Sequence, residues 1–269
     1  MANGATERLS YEPIQPGSGR KRGRFAGILA ALVAAAAKAK SLIFLLPKLK
    51  LLTTSGSALV SIAAYSLLWG WWFAAGFVAL LFLHELGHVI QLRREGIKAS
   101  APMFVPFLGA VIAAKSMGRD AAAEARVGLA GPVLGSIATL IPLAVWLATG
   151  SEFWRALAYV GFLINLFNLL PVLPLDGGRA MAALSPWIWA IGFAGLIALV
   201  FVFPNPIFFL VLIFGGLESW RRFRLRNTPE ARAYHAIPSR TRALVAATYL
   251  GLAGLLGVGV AETFFARGL

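Results

Sequence analysis

Long apolar stretches recur seven times along this chain and leave little sequence between them. A helix that crosses a bilayer needs about 20 such residues. Of the residues, 59% are hydrophobic and 13% are charged. In soluble domains about 45–50% of the residues are apolar and roughly 25% are charged. The composition therefore predicts an all-α polytopic membrane protein with six or seven transmembrane helices. The candidate spans are Leu52–Gly70, Trp71–Leu92, Ala121–Thr149, Glu152–Leu170, Pro186–Phe203, Ile207–Trp220 and Arg242–Ala261.

The net charge of +14 comes from basic residues that lie between the apolar stretches, at 20–24, 38–50, 93–98 and 221–226. Such clusters are typical of cytoplasmic loops beside anionic lipid. We therefore expect membrane lipid as a partner, and no nucleic acid. Assigning sides by these clusters predicts a multi-pass protein of the cell membrane with a cytoplasmic N-terminus.

Composition also divides the chain into segments. Residues 1–24, which are rich in Gly, Pro and Arg, are expected to be disordered, and residues 25–51 are expected to form a helix on the cytoplasmic surface. A signal peptide is the alternative for 25–37, but it would move the following lysines to the translocated side. The other segments are a membrane core at 52–220, a basic cytoplasmic segment at 221–241 and a C-terminal transmembrane helix at 242–269.

Residues 99–118 interrupt the helical pattern. Pro102, Pro106 and Gly109 disfavour a helix, while β-branched and aromatic neighbours favour extended chain. Such backbone is tolerated at membrane depth only beside protein or water. We therefore predict a short extended or β segment at the cytoplasmic boundary.

Two of the three histidines lie in His84-Glu85-Leu86-Gly87-His88. On a helix, positions i and i+4 share a face, so both imidazoles can bind one metal ion while Glu85 takes a proton from water. Ionisable groups inside an apolar span are costly and usually functional. The alternative is a chance match, with both histidines hydrogen-bonded between helices.

A catalytic zinc site needs three protein ligands and one open position. The chain has no cysteine, so the third ligand must be a carboxylate or His235. Asp120 precedes an apolar span and is typical of a helix cap. Asp176 follows a span broken by prolines, on the same predicted side as the histidines, and is the favoured ligand. A capping role for Asp176 and ligation by His235 stay as alternatives.

His84–His88, taken together with the Asn-Leu-Leu-Pro-Val-Leu-Pro-Leu-Asp-Gly-Gly-Arg sequence at 168–179, resembles the site-2 protease family of intramembrane zinc metalloproteases. In that family an Asn-x-x-Pro-x-x-x-x-Asp-Gly motif supplies the third zinc ligand. Further likeness lies at 107–110 and 130–132, and the similarity covers roughly residues 50–250. The resemblance implies a Zn2+ ion held by His84, His88 and Asp176.

The resemblance and the residues agree on a zinc metalloendopeptidase that hydrolyses peptide bonds in transmembrane protein substrates, at the cytoplasmic side of the membrane. Glu85 is expected to be the general base. Asn168 is expected either to stabilise the oxyanion or to hold the turn at Pro171. The extended segment within 101–114 offers a strand edge that could pair with an unwound substrate.

Other interpretations predict different patterns. The membrane proteases that process prenylated proteins also use His-Glu-x-x-His, but there we expect a downstream glutamate motif, which is not found. A non-catalytic metal transporter or scaffold should carry polar groups in several spans. These 269 residues contain neither an insertion long enough for a PDZ domain nor a CBS pair, which leaves substrate selection and nucleotide regulation open. The sequence also leaves the oligomeric state open.

Overall fold

The computed structural model describes residues 54–107, 109–114, 116, 118–202 and 206–264. The predictions of a disordered segment at 1–24 and a surface helix at 25–51 fall outside these residues. Within them, the chain forms nine helices and one two-stranded sheet. In chain order these are α1 Thr54–Trp69, α2 Trp71–Arg94, β1 Met103–Val105, β2 Gly109–Val111, α3 Ala121–Thr149, α4 Glu152–Asn168, α5 Asp176–Met181, α6 Pro186–Val202, α7 Pro206–Leu225, α8 Pro229–His235 and α9 Ser239–Thr263.

Each of the seven predicted apolar stretches corresponds to a helix. Helix ends lie within three residues of their predicted positions, except that α7 runs on to Leu225. Its extra turn carries Arg221 and Arg222, which pair with Glu218 three and four residues earlier, a spacing that supports an exposed helix. Among the described helices, α2, α3 and α9 are long and apolar enough to cross a membrane. The chain is therefore a membrane protein with a mostly helical fold.

Helix α3 occupies the centre, in contact with α2, α4, α5 and α9. Its buried face is built from small side chains, which let helix backbones approach closely where the surrounding lipid offers no hydrophobic gain. They include Ala121, Ala125, Gly128, Gly131, Gly135 and Ala138. Helix α2 contributes Gly87, where an added Cβ would collide with the carbonyl of Ala130. At this point α2 and α3 touch backbone to backbone.

The predicted extended segment is an antiparallel hairpin. Phe104 of β1 lies opposite Ala110 of β2, and Phe104 is buried. Its backbone N–H donates to the hydroxyl of Ser57 at 3.1 Å, and the N–H of Phe107 donates to the hydroxyl of Tyr65 at 3.0 Å. Two polar side chains of α1 therefore anchor the hairpin and satisfy two of its backbone N–H groups, as a membrane setting requires.

A buried loop joins α4 to α5. Leu169, Val172 and Leu173 are almost fully buried, so the loop packs into the interior although it has no regular structure. Gly177 and Gly178 follow it, and an added Cβ on either would collide with loop backbone. The two glycines thus let α5 begin directly against the loop, with Asp176 as its first residue.

Candidate metal centre

His84 and His88 lie one turn apart on α2, and both are buried together with Asp176 at the start of α5. Oδ2 of Asp176 is 3.1 Å from Nε2 of His84 and 3.1 Å from Nε2 of His88. The two Nε2 atoms are 3.3 Å apart. Among the residues that the structure describes, these three form the group of His, Asp or Glu side chains that could share one ion.

The other nitrogen of each imidazole has its own acceptor. Nδ1 of His88 donates to the backbone carbonyl of Val127 at 2.8 Å. Nδ1 of His84 lies 2.8 Å from Oδ1 of Asn165. The amide of Asn165 is oriented by its Nδ2, which donates to the carbonyl of Gly161 at 2.8 Å, so Oδ1 is the atom that faces His84. Both histidines therefore carry a proton on Nδ1 and turn Nε2 toward Asp176.

Two imidazole nitrogens and a carboxylate oxygen, all acceptors, thus converge on one point, which requires a proton or a cation between them. Ligand atoms about 2.1 Å from a tetrahedral ion lie about 3.4 Å from one another, close to the separations found here. Buried carboxylates are paired with a cation or bind a metal, so Asp176 favours a cation among the three ligand atoms.

A cavity of about 420 Å³ opens onto these three side chains. Its wall also includes Glu85, the residue after His84, and Asn168, the last residue of α4. Ala110 and Val111 of β2 also line the cavity, as does Ile112, which follows β2. The cavity therefore has room for water or a peptide segment between the metal centre and β2.

The remaining polar residues considered in the sequence have other contacts. Asp120 accepts a hydrogen bond from the N–H of Ala123 at 2.8 Å and caps α3, as predicted. Nδ1 of His235 lies 2.9 Å from the carbonyl of Ala182, and His235 is not part of the three-residue group. Asp176 is the first residue of α5, and its N-cap position is held by Leu175 with no side-chain hydrogen bond, so Asp176 faces the histidines instead of capping.

Asn168 lines the cavity, but its side-chain hydrogen bond is local. Its Nδ2 donates to the carbonyl of Ile164, one turn back in α4, at 3.1 Å. The alternative in which Asn168 holds the turn at Pro171 has no corresponding hydrogen bond among the contacts of the described residues. One amide N–H of Asn168 remains to face the cavity.

Sequence reasoning missed the residues that orient the imidazoles. Asn165 is 81 positions from His84, so no local pattern links the two residues. Val127 contacts His88 through its backbone carbonyl, which does not depend on the identity of the side chain. The sequence nevertheless contains one indication of the role of Asn165. Asn165 is a polar residue inside an apolar span, and such residues usually have a partner.

The comparisons with known proteins bear on the same region. Residues 72–151 and 147–191 match Peptidase family M50. Zinc metalloprotease MJ0392 of Methanocaldococcus jannaschii is 33% identical over 135 residues, which is 46% of this chain and 37% of that protein. Rip3 of Mycobacterium tuberculosis is 36% identical over 122 residues, 42% of this chain and 30% of its own length.

A more distant relative is EGY1 of Arabidopsis thaliana, 26% identical over 155 residues, which cover 40% of this chain and 28% of that protein. The matched part of the chain spans about a third of the length of these curated relatives. The match to the family nevertheless includes His84, His88 and Asp176. The segment 72–191, which carries the whole candidate metal centre, is thus similar to Peptidase family M50, the site-2 protease family.

Proposed function

We propose that this chain is an intramembrane zinc metalloprotease, in which His84, His88 and Asp176 hold Zn2+ and Glu85 is the general base. The observation that carries the proposal is the convergence of three ligand atoms at 3.1–3.3 Å beside a cavity that Glu85 also lines. The zinc metalloprotease from Methanocaldococcus jannaschii among its relatives supports the choice of metal. The donor set of two imidazoles and one carboxylate, with no thiolate, is that of a catalytic rather than a structural zinc site.

The chemistry divides between the ion and the side chains. Zinc supplies Lewis-acid chemistry when bound, by activating water and polarising a carbonyl. The water oxygen bonds to the scissile carbonyl carbon, and the Glu85 carboxylate takes the proton that the water loses. When the C–N bond breaks, the same carboxylate passes that proton to the leaving amine nitrogen. The Asn168 amide donates to the carbonyl oxygen as negative charge develops there, a role that can be worth about 3 kcal/mol.

Strand addition along β2 accounts for how a helical substrate could be cut. Since the N–H of Phe104 donates outward to Ser57, its partner Ala110 belongs to a pair whose backbone groups point away from the ladder. Ala110 therefore presents an N–H and a C=O on the outer edge of β2, and it also lines the cavity. A locally unwound transmembrane segment that pairs with this edge would lie across the metal centre.

The proposed topology has six or seven spans, a cytoplasmic N-terminus and a metal centre toward the cytoplasm. Arg93 and Arg94 end α2, about one and a half turns from His88, and Arg240 and Arg242 lie in the first turn of α9. The positive-inside bias assigns these helix ends to the cytoplasm. Because the chain has no cysteine, single substitutions report the side directly. Asn227→Cys should react with a membrane-impermeant maleimide only from the cytoplasmic side, and Ser151→Cys only from outside; the reverse pattern would invert the topology.

The experiment that tests the catalytic proposal uses purified full-length protein in liposomes with a tagged transmembrane substrate. Glu85→Gln should retain about one zinc per chain while cleavage falls by orders of magnitude. Asp176→Ala should lose both zinc and cleavage. Glu230→Gln, an exposed glutamate on α8, is the matched control and should change neither. Full cleavage by Glu85→Gln, or by protein stripped of metal, would refute the assignment.

A further inference from the structure

A second cavity, of about 590 Å³, lies between α2, α3 and α9, away from the metal centre. Its walls are apolar for most of their length, with Val133, Leu134 and Ile137 on α3 and Leu244 and Val245 on α9. Ile137 and Leu244 are more than half exposed. Since these helices are apolar enough to span a membrane, exposed apolar side chains on them face lipid. The cavity is thus open to the hydrocarbon of the bilayer.

Charged residues are confined to one end of the cavity, and Thr248 is a polar side chain farther along α9. Gln91 and Arg94 come from the last turn of α2, Arg126 from the second turn of α3 and Thr241 from the first turn of α9. These three helix ends lie on the same side of the structure, the side proposed to be cytoplasmic. The cavity therefore has a polar, basic mouth and an apolar shaft that runs toward the middle of the membrane.

The charges at the mouth leave a net positive potential. Arg126 donates from Nε and Nη2 to Glu95 at 2.7 and 3.0 Å, and Glu95 also accepts from Gln91 at 2.8 Å. The carboxylate of Glu95 is therefore already engaged. Arg94 is exposed, and no ion pair joins it to another described residue. The Arg94 guanidinium and the remaining N–H groups of Arg126 are left to meet an anion from the membrane surface.

We propose that this cavity binds an anionic phospholipid of the surrounding bilayer, with the phosphate at Arg94 and Arg126 and one acyl chain in the shaft. The shaft from Arg126 to Ile137 spans 11 residues of helix, about 16 Å, which is about half of a hydrocarbon core roughly 30 Å thick. One leaflet's acyl chain matches that length. Basic pockets between transmembrane helices on the cytoplasmic side are suited to anionic head groups.

The cavity wall also includes Gly87 and Ala130, the residues at which α2 and α3 touch. A bound acyl chain would therefore pack against the back of the α2 turn that carries His88, and it would brace the α2–α3 contact whether or not the protein is an active protease.

The test is photocrosslinking in nanodiscs with phosphatidylglycerol that carries a diazirine on one acyl chain. The wild-type protein should be labelled on peptides that cover 126–137 and 241–248, and phosphatidylcholine with the same chain should label them at least several-fold less. Arg94→Gln should reduce the phosphatidylglycerol labelling several-fold. Arg93→Gln, the neighbouring exposed arginine that does not line the cavity, removes the same charge and should leave it unchanged.

A second pair of variants addresses the shaft. Val133→Trp would fill it and should abolish labelling, whereas Leu147→Trp, on an exposed part of α3 outside the cavity, should not. The proposal would be overturned by equal labelling with the two lipids, by equal effects of Arg94→Gln and Arg93→Gln, or by capture of a substrate helix at this position. Because Arg94 is exposed, its variant can be read even if Val133→Trp fails to fold.

Discussion

Nδ1 of His84 donates a hydrogen bond of 2.8 Å to Oδ1 of Asn165, and both side chains are buried. The bond fixes the tautomer that leaves Nε2 of His84 as the acceptor facing Asp176. Asn165 is held in turn by Gly161 behind it and by Gly135 beside it, where an added Cβ would collide with Oδ1. A residue that touches no ion can therefore determine whether the ligand set is formed.

Replacing Asn165 with Leu removes this acceptor while keeping the volume similar. We expect zinc affinity to fall about 10- to 100-fold, as is usual when the partner of a metal-binding histidine is lost. Asn165→Asp, which keeps an oxygen at the same place, should restore much of it. Competition with a chromophoric chelator measures the affinity. Asn168→Ala is the control, because it lines the cavity without contacting either imidazole; an equal loss in that variant would contradict the assignment.

Gly131 provides the second test of the geometry. A Cβ at this position would collide with the imidazole of His88, so Gly131→Ala should displace Nε2 from Asp176 and lower zinc content and cleavage together. Gly254→Ala on α9, where an added Cβ meets nothing within 4 Å, makes the same chemical change in another apolar helix. Zinc content per chain, measured on both purified proteins, should fall only in Gly131→Ala.

The residues of the metal centre show what sequence can and cannot predict here. His84 and His88 were predictable because helix periodicity alone puts positions i and i+4 on one face. The proximity of Asp176 depends on a buried loop and on two glycines that admit it, so the sequence could favour this residue without excluding a capping role. The hydrogen bond to Val127 uses a backbone carbonyl, which every residue has, so its position follows only from how α2 packs on α3.

The same holds for the fold. Apolar length predicted where helices lie, because a span must cover the bilayer with internally bonded backbone. It did not predict the polar contact between the ends of α3 and α7. Glu124, within a predicted span, is 1% exposed and accepts two hydrogen bonds from Arg222 at 2.9 and 2.7 Å and one from Tyr234 at 2.7 Å. These partners lie about a hundred residues away, and no periodic pattern links them.

This contact yields a prediction of stability. Glu124→Gln would leave the guanidinium of Arg222 partly buried with one carboxylate partner fewer, so unfolding should be easier by about 2 kcal/mol or more. Burial and the neighbouring Glu124 carboxylate raise the pKa of Tyr234, so its hydroxyl stays protonated and able to donate. Thermal unfolding in detergent measures the loss. Glu230→Gln on the exposed surface of α8 should shift stability by less than about 0.5 kcal/mol.

The ion pair at the end of α2 should make stability depend on pH in a defined direction. Hydrogen bonds from Arg126, opposed by burial and aided by Gln91, lower the pKa of Glu95. A carboxyl whose pKa is lower in the folded state stabilises that state at pH values above its unfolded-state pKa, which is about 4.3. This stabilisation is lost as the pH falls through the folded-state pKa. Wild type should therefore exceed Glu95→Gln in stability at pH 7 by up to about 1 kcal/mol, because Arg126 is partly exposed. The difference in unfolding free energy should vanish at acid pH. Because wild type and Glu95→Gln share all other titrating groups, the contributions of those groups cancel in the difference. A difference that grew as the pH fell would show that Glu95 is not held as a carboxylate by Arg126.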